Sequence, residues 1–146
     1  PGEDICVVLQ LYHKAEKLRV VPAVVYFYWQ NEGSASHGGY TDRHKKGLEN
    51  YISKSNLFVE LYPELTSSIR AYFCEYEMSI FTAMCRNDRY DLPVIEQLQT
   101  ELIKYMRELW QNHSTGLTFK ISAWLIVRNY KLFAFGFKKV RKAVGR

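Results

Sequence analysis

Acidic residues are missing from the last thirty positions of this 146-residue chain. Residues 117–146 carry eight bases, Lys120, Arg128, Lys131, Lys138, Lys139, Arg141, Lys142 and Arg146, and no Asp or Glu. The other twelve bases and all fifteen acids lie upstream, so the net charge of +5 belongs to the C-terminal segment and the body is mildly acidic. Cysteine is scarce. Cys6, Cys74 and Cys85 are an odd number without metal-type spacing, each within an apolar pattern. That excludes a thiolate metal motif and fits buried, reduced thiols in a reducing compartment. Long apolar runs are lacking too. Lys120, Arg128 and Lys131 interrupt the most apolar stretch, so none reaches the roughly 20 residues that span a bilayer. Internal repeats and low-complexity segments are absent. No charged-then-apolar leader precedes the first helical pattern, and we expect a longer protein on the N-terminal side.

Hydrophobic residues make up 47% of the chain and aromatics 15%, enough for one packed domain of this length. Ile5, Val8, Leu9, Tyr12 and Ala15 recur at helical spacing, with Leu11 widening the stripe. Glu3 and Asp4 fall where exposed helix N–H groups favour negative charge, and Lys14 and Lys17 where the other end favours positive charge. This predicts a helix over residues 4–17. Residues 18–21 (LRVV) predict a short strand, and Pro22 interrupts it. The β-branched and aromatic run from Val24 to Trp29 predicts the main strand. The turn residues Asn31, Glu32, Gly33 and Ser34 follow it, then a loop through Ser36, His37, Gly38 and Gly39.

From residue 41 onward the pattern is helical. Leu48, Tyr51, Ile52, Leu57, Phe58 and Leu61 form one apolar stripe, ended by Tyr62-Pro63-Glu64. Ile69, Tyr72, Phe73, Tyr76, Ile80, Phe81 and Met84 form a second. After the loop NDRYDLP, a third begins at Pro93 with Val94, Leu98, Leu102, Tyr105, Met106 and Leu109, and residues 112–116 close it. In the last thirty residues, bases interleave with Trp124, Phe133, Phe135 and Phe137. That composition suits a helix lying in the interface of an anionic membrane. Nucleic acid is not expected as a partner, because no recognition motif accompanies the charge.

The ordered set Glu3-Asp4, short strand and proline, Tyr26-x-Tyr28, Gly33-Ser34 and Ser36-His37 resembles the C-terminal part of the family 2 glycosyltransferases with a GT-A fold. The resemblance covers residues 2–37. It implies an enzyme that moves a sugar, with inversion, from a nucleotide diphosphate sugar to a glycan or lipid-linked acceptor. By that resemblance Asp4 is the catalytic base that deprotonates the acceptor hydroxyl, and Glu3 orients it or touches the acceptor. The residues alone also allow the pair to be a plain helix cap. Tyr28, Ser34 and Ser36 are candidate substrate-binding residues; core packing is the default reading of Tyr28, and shaping the turn that of the two serines. His37 is a candidate ligand for a divalent Mn or Mg ion, or a plain loop residue. The family's Asp-x-Asp motif and nucleotide-binding strands are not in this chain, so the donor and most metal ligands belong to a missing N-terminal half. Where the family often carries arginines after the second tyrosine, this chain has Trp29, Gln30 and Asn31.

The expected architecture is α+β and mainly helical. Residues 1–40 end a GT-A sheet, 41–116 form a helical extension and 117–146 a basic amphipathic tail. The whole enzyme would work peripherally at the cytoplasmic face of the membrane. The alternative is a non-enzymatic helical module that docks on an anionic membrane or a partner protein.

Overall fold

The computed structural model describes residues 3–23 and 39–143. Helix α1 spans Glu3–Lys14, α2 Asp42–Leu61, α3 Thr66–Asn87, α4 Leu92–Lys104, α5 Met106–Gln111 and α6 Leu117–Ala143; a 3-10 turn, Pro63–Leu65, joins α2 to α3. Helix α3 is the axis of the fold, with α2, α4, α5 and α6 all packed against it. The core is made by Leu48 of α2, Ala71, Cys74, Met78, Ile80, Phe81 and Met84 of α3, Val94, Ile95, Leu98 and Leu102 of α4, Leu109 of α5 and Ala123, Ile126 and Ala134 of α6. Each Val, Leu, Ile, Met or Phe side chain among them stabilises the fold by about 1.5–3 kcal/mol when buried.

No strand exists among the described residues, so the α+β expectation is corrected to an all-helical fold. Residues 18–23 carry strand-like side chains but run as irregular backbone. A strand is stabilised by its neighbour, and no second strand lies beside this segment among the described residues. Val20 is 93% exposed. The remainder of the expected strand, residues 24–29, lies outside the described residues.

The entry into α2 is a tight backbone clamp. The Asn87 side chain accepts the Tyr40 N–H at 3.1 Å and donates to the Tyr40 carbonyl at 3.0 Å. A Cβ at Gly39 would stand 2.3 Å from the Asn87 side chain, so only glycine lets the chain approach this closely. Tyr40 is buried and donates its hydroxyl to Asp91 at 3.1 Å, which in turn caps α4 by accepting from the Val94 N–H. Burial, followed by the Asp91 carboxylate, pushes the Tyr40 phenol up to about 12. His44 reaches back to accept the Thr41 N–H at 3.0 Å, and burial lowers its pKa, which keeps that nitrogen free to accept.

Helix α6 is two helices joined at Asn129, whose φ of −159° and ψ of 85° leave the helical region. Each side of the break finds a side-chain partner. Gln99 of α4 donates its amide to the carbonyls of Ile126 and Val127 at 2.9 and 3.4 Å. The Asn129 side chain accepts the Leu132 N–H at 3.0 Å, as a helix N-cap does. This break re-aims the second half, so that Phe133 and Phe137 pack against the core.

Candidate functional site

Glu3 and Asp4 occupy the first turn of α1, where unpaired N–H groups favour carboxylates. The helix begins within one residue of its expected start and ends three residues earlier, at Lys14. Tyr28, Ser34, Ser36 and His37 lie outside the described residues, so no relation between them and Asp4 is defined. Among the described residues, no group of three His, Cys, Asp or Glu side chains is arranged to hold a metal ion.

The far end of α1 meets the bundle. His13 Nδ1 and the Tyr62 hydroxyl are 2.6 Å apart, with their rings edge to face. Beside them opens a cavity of about 560 Å³ whose walls include Phe58, Ile69, Tyr72 and Phe73, with Asn112 and Ser114 at its edge. Val7 and Leu11 of α1 remain exposed, as do Leu18, Val20 and Val21 after it. Among the described side chains, Val7, Leu11, Leu18, Val20 and Val21 thus form apolar surface exposed to solvent.

A second polar cluster is internal. Glu77 of α3 is 4% exposed and its Oε2 has no hydrogen-bond partner among the described residues. It shares a space of about 10 Å³, room for one water at most, with Ser55, Arg70, Glu101 and Tyr105. Arg70 donates to Ser55 at 2.7 Å and its guanidinium lies over the Tyr105 ring. Burial, followed by the Glu101 carboxylate, pushes Glu77 up to about 8. The buried Cys74 and Cys85 form no disulfide, and burial raises both thiols, Cys85 to about 11. Neither is a ready nucleophile.

Helix α6 presents both apolar and basic side chains to solvent. In its first half Leu117, Ile121, Trp124 and Arg128 repeat at helical spacing and are exposed. In its second half Leu132 and Phe135 are exposed between Lys131, Lys139 and Lys142, and Lys139 lies over the Phe135 ring at 4.5 Å. Lys138 is taken up by an ion pair with Asp88. No described helix is long and apolar enough to cross a membrane. The buried Glu77 and the break in α6 were missed by pattern reading, although Glu77 lies between apolar residues at helical spacing on both sides. Comparison with protein families, with curated proteins and with solved structures returns no match.

Proposed function

We propose that this chain is the acceptor-side, membrane-held part of an inverting glycosyltransferase. The exposed side chains of Val7, Leu11, Leu18, Val20 and Val21, downstream of the Glu3-Asp4 turn, are the observation that carries this reading. An amphipathic helix normally turns its apolar stripe to a core, and a contiguous exposed patch normally marks an interface. The bundle leaves Val7 and Leu11 exposed, and a catalytic half packed on α1 would cover them. Asp4 would then stand at the junction of the two halves as the base that takes the acceptor proton. Glu3 orients it, and Tyr28, Ser34 and Ser36 complete the substrate site. That catalytic half would bring the nucleotide-sugar donor and most ligands of a Mn or Mg ion, with His37 as a further ligand. Helix α6 docks the assembly on an anionic membrane. The reading is tested on the gene: the DNA upstream of Pro1 should encode a nucleotide-binding half with an Asp-x-Asp, and a stop codon or an unrelated domain there overturns it.

A second reading follows from the core itself. Among the described residues the buried cluster draws on Tyr40 to Ala134. On that ground residues 39–143 serve as a non-enzymatic helical module that binds an anionic membrane through α6.

A further inference from the structure

We propose that the cavity at the C-terminal end of α1 binds a small organic cation that carries a quaternary ammonium group. The site depends on neither reading above. The cavity, about 560 Å³ in volume, lies within the range of small-molecule pockets. Its walls hold the rings of Tyr12 from α1, Phe58 from α2, Tyr62 just past α2, and Tyr72 and Phe73 from α3. Phe58 and Tyr62 stack within 11° of parallel, whereas Tyr72 and Phe73 stand at 89° to each other. The walls therefore offer ring faces in more than one direction. The contact between His13 Nδ1 and the Tyr62 hydroxyl holds the Tyr62 ring in place.

One carboxylate decides the occupant. Glu75 stands three residues after Tyr72, so the two lie on one face of α3, and both line the cavity. Glu75 is half-buried, and among the described residues no Lys or Arg lines the cavity or pairs with its carboxylate. A hydrocarbon ligand would strip water from that charge and give nothing in return. An anion would be repelled by it. A metal ion needs several oxygen ligands, and among the described residues no group of three His, Cys, Asp or Glu is arranged to hold one. A quaternary ammonium meets both features of the site. Its charge faces the carboxylate, and its methyl groups lie against aromatic faces, whose negative quadrupole attracts a cation. It has no N–H that needs an acceptor, which suits walls that are mostly apolar.

The test is an NMR titration of the 146-residue chain, labelled with 15N. One probe is acetylcholine. The other is 3,3-dimethylbutyl acetate, the same shape with carbon in place of the charged nitrogen. Acetylcholine should shift the amides around Tyr72 and Glu75 to saturation, and the neutral ester should bind about tenfold more weakly. Glu75→Gln keeps the shape of the side chain and removes its charge. It should weaken acetylcholine about fivefold and leave the neutral ester unchanged. Absence of a saturable shift with acetylcholine overturns the inference. Equal binding of the two esters does so too, as does wild-type affinity for acetylcholine in Glu75→Gln. Should that variant fail to fold, the comparison of the two esters on the wild-type chain decides alone.

Discussion

Glu77 is the residue whose chemistry and surroundings conflict most. A carboxyl group with a buried oxygen lacking a hydrogen bond is destabilising when ionised, and its pKa of about 8 says it is mostly protonated at neutral pH. The unfolded chain ionises near 4.5, so between 4.5 and 8 the unfolded state binds fewer protons than the folded one. Stability is therefore fully present below about pH 4.5, falls as the pH rises through this window, and levels off above 8. Glu77→Gln keeps the shape and removes the titration. Urea unfolding at pH 5 and pH 8 should show wild type losing stability with pH and the variant holding it, with the variant ahead by more than ~1 kcal/mol at pH 8. Equal pH dependence would contradict the assignment. Glu77 was hidden in the sequence because a carboxylate is expected to face water. Yet Phe73, Cys74, Ile80 and Phe81, three and four residues to either side, are all buried.

Among the elements, the three apolar stripes of the body were legible because they are long and strongly periodic. Leu48, Tyr51, Phe58, Phe73, Ile80, Phe81, Met84, Val94, Leu98, Leu102 and Leu109 are all buried. Leu57 and Leu61, on the margin of theirs, are exposed. The segment 18–21 misled because β-propensity describes a side chain's fit to a pleated surface, and no surface is supplied there. The break in α6 was illegible because its cause is tertiary: Gln99, thirty residues earlier in the chain, satisfies the carbonyls that Asn129 frees. Asn129→Ala removes the cap and should cost about 1 kcal/mol in urea unfolding. Gln99→Ala should cost a similar amount, about 0.5–1.5 kcal/mol. The pair should be less than additive, since both act on one break. Full additivity would contradict a shared role.

At the scale of the whole molecule, positive charge gathers on the C-terminal helix. Among the described residues the core is drawn from Tyr40 and from α2 to α6, while α6 carries exposed bases beside exposed Trp124 and Phe135. Reversing Lys131, Lys139 and Lys142 to Glu together should weaken flotation with anionic liposomes, by about 1 kcal/mol or more per site at low salt. It should leave the thermal midpoint nearly unchanged, because all three are exposed. Undiminished flotation would remove the membrane from the account. The resemblance that supplied Asp4 concerns residues 2–37, of which 2 and 24–37 lie outside the described residues, and a direct assay tests the role proposed for Asp4. That assay is sugar transfer by the full-length protein carrying Asp4→Asn, with donor binding followed in the same preparation. The account predicts that transfer falls at least about a hundredfold, the scale of a lost general base, while nucleotide-sugar affinity is unchanged. Turnover retained at the wild-type rate would contradict it.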